Sequence, residues 1–149
     1  MSVELTPSGT RGATMPRISK RLMKVLMPIA NLFLRFRGMR LLSLTTVGAR
    51  SGQEHAVDLS YFPDGDDAWL IVASFGGSPR HPAWYFNMAR NPDKIWVTIA
   101  GRKLRVRAES LAGEARTVAW RRIVAEQPIY GGYEQKTDRA IPVVRLTPA

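Results

Sequence analysis

The 149-residue chain has no cysteine, two histidines (His55 and His81) and no long uninterrupted apolar run. Without cysteine there is no disulfide, no thiolate nucleophile and no cysteine-rich zinc site. Two histidines do not make a multi-histidine metal centre, so no metal is expected. A membrane-spanning helix needs roughly 18 or more apolar residues in succession, and none occurs. Residues 1–14 are polar and lack the apolar stretch of a secretory leader, so the expected location is cytoplasmic, or peripheral at the inner membrane face. Acid is scarce as well: 12 Asp and Glu face 22 Lys and Arg, a net charge of +10. There is no G-x-G-x-x-G, no G-x-x-x-x-G-K-[ST] and no G-x-S-x-G, and the apolar segments hold no pair of carboxylates in helical register. Hydrolysis and phosphoryl transfer therefore have no evident machinery. A bound cofactor carrying its own chemistry remains.

The positive charge is concentrated near the N-terminus. Residues 1–40 carry eight basic side chains and one acid, Glu4, whereas residues 41–149 carry 14 basic and 11 acidic ones. Residues 1–15, rich in Ser, Thr, Gly and Pro, read as a disordered tail. Residues 16–37 read as a basic amphipathic helix. Ile18, Leu22, Val25, Leu26, Ile29, Phe33 and Phe36 recur at intervals of three and four, with Arg17, Lys20, Lys24, Asn31 and Arg35 opposite. Pro28 in mid-run implies a kink or two short helices. The apolar face fits either the protein's own core or an anionic membrane surface. A nucleic acid partner is not expected, because base-stacking aromatics are not interleaved with the basic residues.

Residues 38–149 read as one domain. Strands are expected at 41–46, 55–62, 68–75, 94–99, 102–109 and 141–146. Helices are expected at 82–90 and 114–126, and a loop over 127–136. Tight links such as Pro63–Asp67 and Ala100-Gly101 make neighbouring strands antiparallel, which points to a mainly β (α+β) small barrel with flanking helices.

Three segments could carry function. In Gly48-Ala49-Arg50-Ser51-Gly52-Gln53, glycines free the backbone and Arg50 offers a planar fork for phosphate or carboxylate. In 73–85, a buried strand runs into Gly76-Gly77, then Arg80 and His81, then a helix start at Ala83-Trp84-Tyr85. Glycines admit a ring close to the backbone, and the helix start suits an anion. Tyr130-Gly131-Gly132-Tyr133 could cover a flat ligand. Each segment also has a plainer reading, as an exposed loop, a packed helix start and one packed tyrosine. Lys103, Arg105 and Arg107 share one strand face and read as solvated.

Residues 41–53, 72–87 and 137–144, with Asn91-Pro92 closing the second helix, resemble the deazaflavin-dependent nitroreductase family of actinobacteria, of the coenzyme F420-dependent quinone reductase type. The resemblance spans about residues 38–146 and rests on three ordered motifs at matching spacings. It implies a split β-barrel of the FMN-binding kind and an oxidoreductase that takes a hydride from reduced coenzyme F420. The acceptor would be a quinone or another planar molecule, such as a nitroaromatic or enone. Arg50, Ser51, Gly52 and Gln53 would hold the cofactor's anionic tail. Val72, Ala73 and Ser74 would flank its ring, with Ser74 at the reactive edge. Gly76, Gly77, Arg80, Ala83, Trp84 and Tyr85 would close the other side. Tyr61, Tyr130 and Tyr133 would line the substrate pocket, with Ser74, Tyr130 and Tyr133 as catalytic groups. The resemblance also favours a membrane surface as partner of residues 16–37. A barrel of this fold that uses FMN or haem, or a carrier of F420 without catalysis, are the alternatives.

Overall fold

A computed structural model describes residues 2–14, 18–36 and 38–149. Among them the chain forms α1 (Lys20–Phe36), β1 (Leu41–Val47), β2 (Glu54–Ser60), β3 (Phe62–Pro63) and β4 (Trp69–Val72). After a 3-10 turn at Phe75–Gly77 come α2 (Ala83–Arg90), β5 (Ile95–Ile99), β6 (Arg102–Ser110), α3 (Gly113–Glu126), α4 (Ile129–Lys136) and β7 (Val143–Pro148).

The seven strands form one sheet in the order β2-β1-β5-β6-β7-β4-β3, every neighbour antiparallel. Its two ends, β2 and β3, are successive pieces of one segment bent at Tyr61. Ser60 pairs with Leu41 on β1, and Phe62 pairs with Leu70 on β4. The sheet curls until its first and last strands meet in that bend, which gives the split barrel.

Strand alternation sorts the core into two layers. Leu42, Leu44, Ile71, Ile95, Val97, Val106, Val144 and Leu146 point into the barrel, where Tyr85 and Met88 of α2 plug one end. Phe62, Leu70, Val72 and Val143 point outward and are covered by Ala119, Trp120 and Ile123 of α3 and Tyr130 of α4. Burial on both faces explains why β4 reads as an unbroken apolar run. The β5–β6 hairpin turns through Ala100 (φ 51°) and Gly101 (φ 79°), the left-handed pair that a two-residue hairpin requires.

The structure corrects several expectations. The strand expected over 68–75 ends at Val72, because Phe75, Gly76 and Gly77 take φ of 43°, 62° and 81° and turn the chain away. The loop expected over 127–136 contains α4. Its two glycines cost about 1 kcal/mol each in a helix. Burial of Tyr130 offsets that cost, and Gly131 lies so close to α3 that a Cβ would sit 3.3 Å from Val124. The 54–63 stretch is split at Tyr61, so there are seven strands instead of six.

Residues 2–14, expected as a disordered tail, form an extended strap across the barrel. Val3 joins the inner core, and the Ser110 amide donates to the Ser2 carbonyl at 3.2 Å. Met1 and Met15 lie outside the described residues. Pro16, Arg17 and Arg37 of the expected 16–37 helix lie outside them too. The remainder is one helix that includes Pro28, not two.

The apolar face of α1 does not cover the core. Asn31 donates to Asp58 of β2 at 2.5 Å, and Met27, Asn31 and Leu34 are half-buried. Val25, Ile29 and Leu32, on the other side, are 63%, 63% and 70% exposed.

Candidate active site

The two Gly/Arg segments read from the sequence face one another across a single cavity of about 950 Å³. One wall is the β1–β2 loop with the inward side chains of β2, namely Gly48, Ala49, Arg50, Ser51, His55, Val57 and Leu59. The other is the end of β4 and the start of α2, namely Val72, Ser74, Phe75, Gly76, Pro82, Ala83, Trp84, Phe86 and Asn87.

The β1–β2 loop is built to present Arg50 and Ser51. The Gly48 amide donates to the Gln53 carbonyl at 2.7 Å, and the Gly52 amide to the Gly48 carbonyl at 3.0 Å. Gly52 has φ +68°, and a Cβ on Gly48 would lie 2.3 Å from the Ser51 hydroxyl. The left-handed φ at Gly52 favours glycine, and a Cβ at Gly48 would push the Ser51 hydroxyl aside. The Ser51 hydroxyl accepts from the Gln53 amide at 3.2 Å and lies 3.4 Å from His55 Nε2. Arg50 is exposed, with its guanidinium free to meet an anion at the rim.

Asn87 of α2 fixes this loop to the opposite wall. Its Oδ1 accepts from the Ala49 amide at 2.9 Å, and its Nδ2 donates to Thr46 Oγ1 at 3.1 Å. Asn91 Nδ2 donates to the Val47 carbonyl at 3.1 Å. The first turn of α2 lines the same cavity as Arg50; its Tyr85 amide donates to the Pro82 carbonyl at 3.1 Å, and the Ala83 and Trp84 amides before it have no carbonyl of their own helix to bond.

Of the residues singled out in the sequence, Arg50, Ser51, Val72, Ser74, Gly76, Ala83 and Trp84 line the cavity. Gly52, Gln53 and Arg80 lie outside its wall, in the turns that carry it. Ala73 is fully buried behind it, and Gly77 packs against the Tyr133 backbone and Lys136. Tyr85 is fully buried and turned away, its hydroxyl donating to the Glu4 carbonyl.

The three tyrosines expected in the substrate pocket are not in this wall. Tyr61 packs against the inner core, and Tyr130 and Tyr133 pack in the outer one. Tyr130 meets Phe62 edge-on at 5.7 Å and Tyr133 at 5.7 Å. Burial raises the hydroxyl pKa of both, helped for Tyr130 by nearby Tyr133 and opposed by a bond to Ser60, so both stay protonated. These side chains were grouped by a Gly-Gly loop that the fold turned into a helix.

Sequence reasoning missed Thr46, His55, Val57, Leu59, Phe75, Phe86 and Asn87 as lining residues. The alternation of β2 carried the signal for three of them, since His55, Val57 and Leu59 share the face opposite Asp58.

The wall suits a flat, partly apolar ligand with an anionic tail. Trp84, Phe75 and Phe86 offer ring faces, Val57, Leu59 and Val72 a greasy floor, and Arg50 and Ser51 a polar rim. No group of three or more His, Asp or Glu able to hold a metal occurs among the described residues.

Comparison with known proteins agrees with this chemistry. Residues 24–148 match the family model described as F420H(2)-dependent quinone reductase. An F420H(2)-dependent quinone reductase of Mycobacterium tuberculosis (strain H37Rv) is 41% identical over 110 residues, covering 71% of this chain and 72% of its own. A solved F420-H2 dependent reductase is 38% identical with a TM-score of 0.64, covering 72% of this chain and 93% of that one. A second solved chain, described as a domain-swapped dimer, is 32% identical with a TM-score of 0.64 and covers 85% of this chain and 99% of its own.

Proposed function

The chain belongs to the F420H(2)-dependent quinone reductase family, an oxidoreductase family whose cofactor is coenzyme F420, and we propose that it reduces a quinone or a similar planar acceptor in the cavity between the β1–β2 loop and α2. The observation that carries this reading is the convergence of Arg50, Ser51, Ser74 and Trp84 on one cavity from two walls.

When bound, the reduced cofactor supplies a hydride. The protein's part is to hold donor and acceptor in register, which is where the missing acid–base machinery ceases to be a puzzle. Arg50 and Ser51 would hold the anionic tail at the rim. Val72 and Ser74 line the same cavity and would border the ring, with the Ser74 hydroxyl as the polar group on that side. Trp84, Phe86, Val57 and Leu59 exclude water from the acceptor and favour an apolar one. The proton that completes reduction would come from solvent at the cavity mouth, and Ser74 is a lining hydroxyl that could hold the donor. Turnover of F420H2 with menadione tests the reading. Menadione-dependent loss of the reduced cofactor supports it; binding without oxidation would make the protein a carrier.

The partner of α1 in this reading is an anionic membrane surface. Its support is the outward apolar face of Val25, Ile29 and Leu32, flanked by Lys20, Arg21, Lys24 and Arg35. Among the described residues no helix is long and apolar enough to cross a membrane, so α1 would lie in the interface. Such placement brings the enzyme to lipid-soluble acceptors.

A further inference from the structure

Beyond the Ala73 amide, which donates to the Pro142 carbonyl at 2.9 Å, the segment Ala73–Ser78 has no sheet partner. β4 ends at Val72, and the chain then passes through three successive positive φ values, of which Phe75 at 43° is strained for a residue with a Cβ. Such a segment keeps its shape only if something else satisfies its carbonyls.

Arg139 does so. It is 4% exposed and has no carboxylate partner among the described residues. Its Nε donates to the Ser78 carbonyl at 3.0 Å, Nη1 to the Ala73 carbonyl at 3.0 Å, and Nη2 to the Ser74 carbonyl at 2.8 Å. The second proton of Nη1 goes to His81 Nδ1 at 2.9 Å. An ammonium could not span these acceptors, because only a planar fork presents donors in four directions from one centre.

His81 passes the connection on. With Nδ1 accepting from Arg139, Nε2 carries the proton and donates to the Thr6 carbonyl at 2.8 Å. Thr6 lies in the strap, which is bonded to both segments that Arg139 bridges. On one side the Gly9 amide donates to Pro79 at 2.7 Å and the Ala13 amide to Gly77 at 3.0 Å. On the other the Thr10 and Arg11 amides donate to Asp138 at 2.8 and 3.1 Å, and Thr137 Oγ1 donates to the Arg11 carbonyl at 2.8 Å. The strap must lie very close: a Cβ on Gly12 would sit 2.4 Å from the Gly77 carbonyl.

We infer that Arg139 is a positioning residue for the cofactor-facing segment Ala73–Ser78, and that the N-terminal strap is the latch that keeps it in place through His81, Gly77 and Pro79. This deepens the proposed function and rests on it for the identity of the ligand. The strap ends a few residues before α1 begins, so the latch joins the cofactor wall to the helix whose apolar face is free of the core.

The test uses the full chain and two variants that alter no cavity-lining residue. Gly12→Val should lift the strap, and Arg139→Lys should remove the fork. Amide hydrogen exchange is measured over 2–14 and 73–81 without ligand, and the F420 dissociation constant by fluorescence titration. Faster exchange at 73–81 in both variants is expected. F420 binding should weaken about tenfold, as one lost charge-assisted bond predicts, with KM for F420H2 raised and KM for menadione unchanged. A folded Arg139→Lys with unaltered exchange at 73–81 and wild-type affinity would overturn the positioning role. If that variant does not fold, Gly12→Val decides. A strap that exchanges freely while residues 73–81 stay protected and F420 binds as before would show that it latches nothing. Failure of the wild type to bind F420 would end the proposed function instead, and the exchange data would still judge the latch.

Discussion

Asn87 Oδ1 accepts the Ala49 amide at 2.9 Å, so one buried side chain ties the β1–β2 loop to the helix across the cavity. Its Nδ2 is committed to Thr46 at the same time. Neither group can turn to a new partner without orphaning the other. The distance between Arg50 and the start of α2 is therefore a property of Asn87.

Asn87→Ala should destabilise the fold by about 1–3 kcal/mol, because it leaves a partly buried amide and a buried hydroxyl unpaired. It should also weaken F420 binding by more than the loss of stability explains. Thermal unfolding and a fluorescence titration on the same sample check both. An unaltered F420 affinity would show that the loop holds its place alone.

The hydroxyls of Tyr130 and Tyr133 belong to the packing of α4, not to the cavity wall. Tyr133→Phe should leave kcat with menadione within about twofold of wild type, a barrier change of ~0.4 kcal/mol. Ser74→Ala should lower it about tenfold, the worth of one hydrogen bond at the reacting edge. Steady-state kinetics on the two variants separates the roles. A large loss in Tyr133→Phe would mean that α4 moves over the acceptor during turnover.

Much of this was legible beforehand. The β1–β2 loop and the 73–85 segment announce themselves by glycines beside arginines, and their convergence follows once the strands before them belong to one barrel. Alternation placed β1, β2, β5 and β6 closely. Failures cluster where long-range contacts override local preference. Gly131-Gly132 signals a loop, but packing on Val124 admits a helix. Residues 2–14 look disordered by composition, yet backbone bonds to Gly77, Pro79 and Asp138 hold them, and no side-chain pattern reports such bonds. Asn87 was invisible because its work is to pair backbone groups distant in sequence.

The His81 site makes the protein sensitive to acid. Burial, and then the adjacent Arg139, lower the pKa of His81 below 6.5, opposed by its bond to Thr6. The groups facing it are the charged Arg139 and the neutral Tyr85, whose ring centroid lies 4.8 Å away. An unfolded chain takes up the proton near pH 6.5 while the folded one resists, so stability falls as pH drops below that value. Asp138, held down to about 2 by Thr10 and Arg11, keeps its side of the strap intact until far lower pH. The protection factors of the strap amides, taken against the intrinsic rate at each pH, should therefore fall between pH 7 and pH 5, and a His81→Gln variant should lose that dependence. A flat profile in the wild type would contradict the assignment of Nδ1 as acceptor.

The outward face of α1 predicts a separable behaviour. Ile29→Glu with Leu32→Glu should change stability by no more than about 0.5 kcal/mol per site, since both side chains are exposed. The same pair should reduce co-sedimentation with phosphatidylglycerol vesicles at least about tenfold, each lost apolar side chain being worth ~1.5 kcal/mol or more at the interface. Equal sedimentation of variant and wild type would exclude the helix as the membrane contact.

The most direct measurement is a titration of the purified full-length chain and of Arg50→Ala with coenzyme F420, followed by its fluorescence. Saturable binding of one F420 per chain is expected in the wild type, with FMN failing to compete. Arg50→Ala should bind about 10–100-fold more weakly, from the loss of a charge-assisted contact of ~1.5–3 kcal/mol. An Arg50→Ala protein that binds F420 as tightly as the wild type, or a wild type that prefers FMN, would contradict the placement of the cofactor between these two walls.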